Sequence, residues 1–507
     1  MKEKSSTLKH LIFFLFAFFL LACDDSGANS SGCGDGVVDP GEACDGADLG
    51  GTTCEGLHYY GGTLSCTSDC QFSVASCEVA GWCGDGVKNG PEDCDTHDTG
   101  SETCTTLDHG DGELGCTSEC LFDISTCNDP DLFLMSDLTF AGAFRFTNGD
   151  FGISSVNYAI GTLAYNPQNH SLFIAGHDHQ RAVAEYPISG VGMQSTVEEL
   201  PETGEPIQGF VSVLDALENP QGLDRITGMF WVNGSLIVNA EQWYDAPGDN
   251  LDTTLVIADA NDLGGMSQGF FELEGAAHSA GYMGPIPAAL GDEFGADYYT
   301  GWSSVYSIVS RYSVGPSLWT LDPTALLTGD AAAAPFIEAT PHMNFAYHEG
   351  MLGDRAVEYA AQGVEGPFPP ASPLWNILSK GVYGFFVPGT RTFAVIGSTA
   401  GLTSGIGYKA VQADGTVCGG PCAYQPDDYY NYFWLFDVDE ILAAENTFDP
   451  RPYAYGVWDL PFDNGGEHRI IGATLDSATG TLYVAIENAG QLGDYDRPPL
   501  ILTYTLL

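Results

Sequence analysis

Four stretches of this chain repeat one local plan, and a fold must accommodate all of them. Residues 161–176 (GTLAYNPQNHSLFIAG), 227–241 (TGMFWVNGSLIVNAE), 383–398 (YGFFVPGTRTFAVIGS) and 471–488 (IGATLDSATGTLYVAIEN) each join two apolar runs through a short turn of Asn, Gly, Pro or Asp, the pattern of a β-hairpin. A third run follows each one: AVAEYPI from Ala182, TTLVIAD from Thr253, NYFWLFDV from Asn431 and LILTYTL from Leu500. A weaker fifth unit runs through SAGYMGPIP from Ser279, ADYYTGW from Ala296 and PSLWTLDP from Pro316. IQGFVSVL from Ile207, GFFELEG from Gly269, PFIEAT from Pro335 and YAYGVWDL from Tyr453 supply fourth, outer strands. Four-stranded units that hide their faces against neighbours make a β-propeller. The expected fold class is therefore all-β, with a propeller over residues 138–507. Five blades are favoured, and six or seven stay open because residues 341–380 match no unit. The orphan run LTFAGAFRF from Leu138 is expected to complete the last blade and close the ring.

Ahead of this region, Cys33, Cys44, Cys54, Cys66, Cys70 and Cys77 recur fifty positions later as Cys83, Cys94, Cys104, Cys116, Cys120 and Cys127. Units with so few aliphatics cannot bury enough area to fold unaided, so three bridges per copy are expected in repeats 33–77 and 83–127, with fifteen pairings open for each. Cys418 and Cys422 read as a bridge bracing a long loop. The CGDG opening and the later Glu-x-Cys-Asp, with Glu42 and Glu92, resemble the Myxococcus-type cysteine-rich repeats of bacterial surface proteins. Both copies depart from the commoner form at Cys44-Asp45-Gly46 and Cys94-Asp95-Thr96. Their clustered acids, Asp35, Asp39, Glu42, Asp45 and Asp48 and then Asp85, Glu92, Asp93, Asp95 and Asp98, are candidate Ca²⁺ ligands, with solvated turn chemistry as the alternative.

Lys2, Lys4 and Lys9 precede the apolar run LIFFLFAFFLLA, which reads as an export signal over residues 1–22 and is too short to span a bilayer. The sequence Leu20-Leu21-Ala22-Cys23 resembles the lipobox of bacterial lipoproteins, which implies an acylated Cys23, a membrane as partner and a flexible tether over 23–32. The expected location is the cell envelope, at the outer membrane or cell surface. A net charge of -53, from 68 acidic and 15 basic residues, argues against nucleic acid as a partner. Oligomeric state stays open.

In a propeller of this strand order, the loops between blades and those joining second to third strands share one face. That face is expected to receive Arg181, Asp224, Arg225, Gln242, Tyr244, His278, Arg311, His348, Asp354, Arg355, Glu467, His468, Arg469, Glu487, Asn488 and Arg497. Six of the nine arginines lie in these loops, which favours a local anion-attracting funnel. The candidate ligand-binding residues are Arg225, Arg311, Arg355, His468 and Arg469, with Trp243 and Trp302 as stacking platforms for sugars. The run Tyr429-Tyr430-Asn431-Tyr432 adds rings near the same rim, and packing between blades is the alternative for all of them. His177 and His179 flank Asp178. In an extended segment they would point the same way, as two metal ligands do. Glu241 and Glu349 are candidate catalytic carboxylates. No nucleophile elbow, HExxH or Walker motif is present. The expected function is binding of an extracellular glycan or small anion. The alternatives are a metal-assisted or carboxylate-based extracellular hydrolase, and a purely structural adhesion protein.

Overall fold

The computed structural model describes residues 33–39, 41–107, 110–128, 132–219, 221–245, 248–303, 314–328, 336–347, 349–353, 356, 358–360, 364, 366–493 and 495–506. Cys23, the signal segment and the tether lie outside the described residues, as do Arg311, His348, Asp354 and Arg355. The chain divides into two compact units between Asp95 and Thr96, inside the second cysteine repeat.

In the first unit the bridges are Cys33–Cys70, Cys44–Cys66 and Cys54–Cys77. What the CGDG opening does becomes clear at Asp45, whose buried carboxylate accepts the backbone N–H groups of Gly34, Asp35 (3.1 Å) and Gly36 (2.8 Å). Gly34 and Gly36 both adopt positive φ, 104° and 90°, which lets consecutive N–H groups converge on one anion. These bonds, led by that from Gly34, hold the Asp45 carboxyl below its usual range. The same nest forms around Asp95, from Gly84, Asp85 and Gly86. Glu42 and Glu92 accept from the backbone of Asp39 and Asn89, and Asp48 from that of Gly50. Several acids singled out as calcium candidates thus serve as internal turn staples. In the second unit Cys104 pairs with Cys127, and Cys418 with Cys422. Cys83, Cys94, Cys116 and Cys120 are also disulfide-bonded. Such bridges belong to extracellular or secreted proteins, and no described helix is long and apolar enough to cross a membrane.

The second unit carries a five-bladed propeller. The first blade runs from its inner strand outward as Leu163–Asn166, Ser171–Ala175, Ala182–Pro187 and Gln208–Ser212. The second is Arg225–Val232, Ser235–Glu241, Asp252–Ile257 and Ser267–Leu273. The third is Tyr282–Pro285, Tyr298–Gly301, Leu318–Leu321 and Thr340–Met343. The fourth is Lys380–Phe386, Thr392–Ala400, Tyr429–Asp437 and Pro452–Val457. The fifth is Ile470–Asp476, Thr481–Ile486 and Leu500–Thr505, finished by Thr139–Arg145 from the start of the unit. The orphan strand therefore closes the ring as expected, with Ile501 opposite Phe144 and Leu502 opposite Ala143. One outer run divides differently. Phe336–Ile337 joins the edge of the second blade in parallel, and only the following Thr340–Met343 completes the third. The third blade also replaces a tight hairpin turn with the helix Ala288–Phe294.

Blade faces are sealed by apolar side chains and rings. Trp375 and Trp434 lie 4.7 Å apart, and Tyr299 sits edge-on to Phe386 at 5.2 Å. Inner strands of adjacent blades approach so closely that a side chain cannot stand between them. A Cβ on Gly228 would lie 1.7 Å from the Gly281 carbonyl, and one on Gly472 2.0 Å from that of Gly161. Both obstacles are backbone and cannot rotate away. Gly228→Ala is therefore expected to lower unfolding stability by roughly 1–3 kcal/mol through overpacking, measured by chemical denaturation; an unchanged midpoint would contradict the close approach.

Candidate functional site

Three of the five inner strands carry a cation at the same rung, as the first residue in two of them and just before the first residue, Ile470, in the third. Arg225 is paired with Glu241 and Lys380 with Ser398 across the first two hairpins, while the Glu487 N–H donates to the Arg469 carbonyl at 2.9 Å across the third. In each hairpin the register shifts just inside this rung, between Ile226 and Gly228, Gly381 and Tyr383, and Ile470 and Gly472. The shared irregularity sets Arg225, Lys380 and Arg469 at equivalent positions of three blades, near enough for the Arg225 and Arg469 charges to act on the Lys380 amine.

The three cations are held differently. Arg469 donates Nε to Glu487 at 2.8 Å and lies 5.0 Å from the centre of the Tyr429 ring. Arg225 stands 5.5 Å from the Trp243 ring centre and reaches the Asp178 carboxylate only at 3.9 Å. Lys380 has no ion-pair partner among the described residues. Burial, and then the Arg225 charge, push its amine down from the ordinary range, while Glu241 and Glu487 oppose them and Arg469 adds to them. Glu241 itself is 1% exposed. Its Oε2 accepts from Trp302 Nε1 at 3.1 Å, and its Oε1 has no hydrogen-bond partner. Burial raises the Glu241 carboxyl from 4.5 to about 7, against the pull of Arg225 and Lys380. A buried carboxyl with an open oxygen beside an unpaired ammonium offers a proton-exchanging or anion-recognising centre.

The other sequence candidates distribute around this mouth. Trp302 is buried, its ring nitrogen committed to Glu241, and so works as a brace. Trp243 is the ring over which Arg225 lies, and the Trp243 backbone N–H donates to the Asp224 carboxylate at 2.9 Å. Beside Arg469 opens a cleft of about 540 Å³ whose walls include Tyr429, Asp427, Asn464 and Glu467. His468 leads into Arg469, and its Nδ1 is buried without a partner. Tyr432 instead packs inside the blade, donating to the Pro373 carbonyl, while Asn431 ties the fourth blade to the His468 carbonyl and the Ile470 N–H.

His177 and His179 lie in a turn rather than an extended segment, because the Gln180 N–H closes back on the His177 carbonyl at 3.0 Å. Their rings are 5.1 Å apart, and His177 Nδ1 accepts the His179 backbone N–H. Among the described residues no third ligand gathers with them. Glu349 is exposed in the loop between the third and fourth blades.

Lys380 is the residue that sequence reasoning missed. Matching the hairpins on their glycines sets Gly384 against Gly228, which displaces the fourth blade by one. The paired register instead sets Tyr383 against Gly228, and Lys380 then falls on Arg225 and Arg469. A lysine three residues before the strand's first inner ring was the available signal.

No family model matches the chain, and no curated protein matches it. Among solved structures, a putative oxidoreductase (glucose dehydrogenase) from Thermus thermophilus aligns with 71% of this chain and 100% of its own, at 12% identity and a TM-score of 0.29. A glycosyl hydrolase from Bacteroides ovatus aligns with 71% of this chain and 94% of its own, at 12% identity and a TM-score of 0.28. The hemagglutinin-neuraminidase of Parainfluenza Virus 5 aligns with 74% and 97%, at 9% identity and a TM-score of 0.26. Likeness at this level carries no argument about activity.

The raised Glu241 carboxyl has a stability consequence. The folded state binds this proton more tightly than the unfolded chain, so the contribution is complete below the ordinary 4.5 and is lost as pH rises through about 7. Glu241→Gln is expected to remove that decline, seen as a flatter denaturation midpoint between about pH 4.5 and about 7; a profile identical to the parent's would contradict the assignment.

Proposed function

We propose that this chain is a lipid-anchored cell-envelope protein that holds an anionic ligand, a carboxylated or sulfated glycan or a smaller anion, at the mouth of its propeller channel. The observation that carries this reading is the cationic rung Arg225, Lys380 and Arg469, in a chain with only 15 basic residues against 68 acidic ones. In a chain of such negative net charge, an anion finds a favourable potential where these groups converge. Guanidiniums grip carboxylate or sulfate through two parallel N–H bonds, and the unpaired Lys380 ammonium adds a point charge in a site of reduced dielectric. The Trp243 and Tyr429 rings already carry a guanidinium each and offer flat edges to a sugar. The 540 Å³ cleft next to Arg469 has room for the remainder of a saccharide.

Lys380→Ala and Arg225→Ala are each expected to weaken binding of oligogalacturonate or sulfate at least about tenfold, the equivalent of ~1.4 kcal/mol. Isothermal titration at two salt concentrations reads this, and equal affinities in parent and variants would sink the proposal. For the anchor, Cys23→Ser is expected to move the protein from the membrane pellet to the soluble fraction. Retention in the pellet would exclude acylation at Cys23 as the attachment.

The open Oε1 of Glu241 favours a second reading, a carboxylate-based hydrolase in which Glu241 donates a proton to a leaving group. In that case Glu241→Gln abolishes turnover of a uronic-acid oligosaccharide while leaving its binding intact. Loss of binding alone, with no turnover by the parent protein, leaves the first reading.

A further inference from the structure

The opposite mouth of the channel has a chemistry of its own. A cavity of about 310 Å³ opens there, with walls that include Tyr165, Phe230, Tyr299, Phe386 and Leu475 and with Tyr383 at its inner end, where the same ring also borders the narrow channel space beside Arg225 and Lys380. The wall comes from the inner strands of all five blades and from the start of the helix Ala288–Phe294. That helix, standing where the other blades have a tight turn, forms one side of the opening.

Two features define what fits. First, no Asp, Glu, Lys, Arg or His belongs to the lining, although 68 acidic residues crowd this chain. A charged ligand placed here would lose its hydration without compensation. Second, the phenol groups are engaged with the protein. Tyr299 donates to the Gly384 carbonyl at 2.9 Å, Tyr383 accepts the Leu475 N–H at 3.1 Å, and Tyr165 bonds His170 Nδ1 at 3.0 Å. These rings offer a ligand their flat faces, and the uncharged polar groups of the wall, Ser477 among them, stand beside that ring and aliphatic surface. Tyr165 is further held in place by stacking on Tyr483, with centres 5.7 Å apart, so the wall is preformed. Concave and preformed, at a few hundred Å³, with uncharged walls of mixed polarity, it has the size and shape of a small-molecule site.

We propose that this mouth binds an uncharged small molecule bearing an aromatic ring, through ring and aliphatic contacts with Phe230, Phe386, Tyr165 and Leu475. The site is independent of the anion-binding reading, since it lies at the other end of the channel and uses none of its cations.

The test uses N-phenyl-1-naphthylamine, an uncharged fluorophore whose emission rises in apolar surroundings, titrated into the protein. Saturable binding of one probe per chain is expected. Ala288 and Ser477 both line the opening and are exposed, so a large side chain at either can enter the cavity without breaking core packing. Ala288→Trp and Ser477→Trp are each expected to weaken probe binding at least tenfold with the circular dichroism spectrum unchanged. Arg225→Ala, at the far mouth, is expected to leave it untouched. Non-saturable emission, or parent-like affinity in both tryptophan variants, would overturn the site. Loss of anion binding in Arg225→Ala with probe binding retained would separate the fate of this inference from that of the proposed function.

Discussion

The propeller depends on one pairing, that of Leu500–Thr505 with Thr139–Arg145. Without it the fifth blade would have three strands and an open edge, and the ring of inner strands would be held by side-chain packing alone. Closure by the two ends of one unit converts five locally folded sheets into a toroid whose inner strands are forced into contact. Loop-closure entropy for so long a segment grows only slowly with length, so a few strand-ladder hydrogen bonds and the burial of Phe144, Ile501 and Leu502 offset it.

That enforced contact explains the chemistry at the centre. Inner strands of neighbouring blades meet backbone to backbone at Gly228 and Gly472, which keeps the channel narrow, and the Tyr383 ring stands inside it between the two mouths. At one mouth the shared register shift delivers Arg225, Lys380 and Arg469, and at the other the hairpin turns and a helix part around aromatic walls. Charge and apolar surface are thereby kept at opposite ends of one narrow passage. Glu241 and Lys380 are each penalised by burial and each helped by the other, so the charged mouth is a place where removing one group alters the protonation of its neighbours.

Much of this architecture was legible because four of the blades repeat a hairpin with polar turn residues, and the third, whose turn is a helix, still keeps its apolar runs. The strands that departed from it did so for local reasons. PFIEAT reads as one outer strand, yet its first half pairs with the second blade because an outer edge was available there. The extended geometry assumed for His177 and His179 failed because Gln180 closes a turn, a choice that depends on Tyr158 and Ser155 packing against it from elsewhere in the chain. Lys380 escaped because a one-residue slip at a register shift is invisible in a pattern matched by glycines.

From residues alone came the all-β propeller class, with five blades favoured and six or seven open, and the disulfide-rich character of the leading region, since these follow from local periodicity and covalent spacing. Which cysteines pair, which cations share a rung, which carboxyl is stripped of water and where a charge-free cavity opens are matters of distance between segments far apart in the chain. Only the closed ring fixes those distances, and burial, which sets the protonation of Glu241 and Lys380, exists only once it has closed.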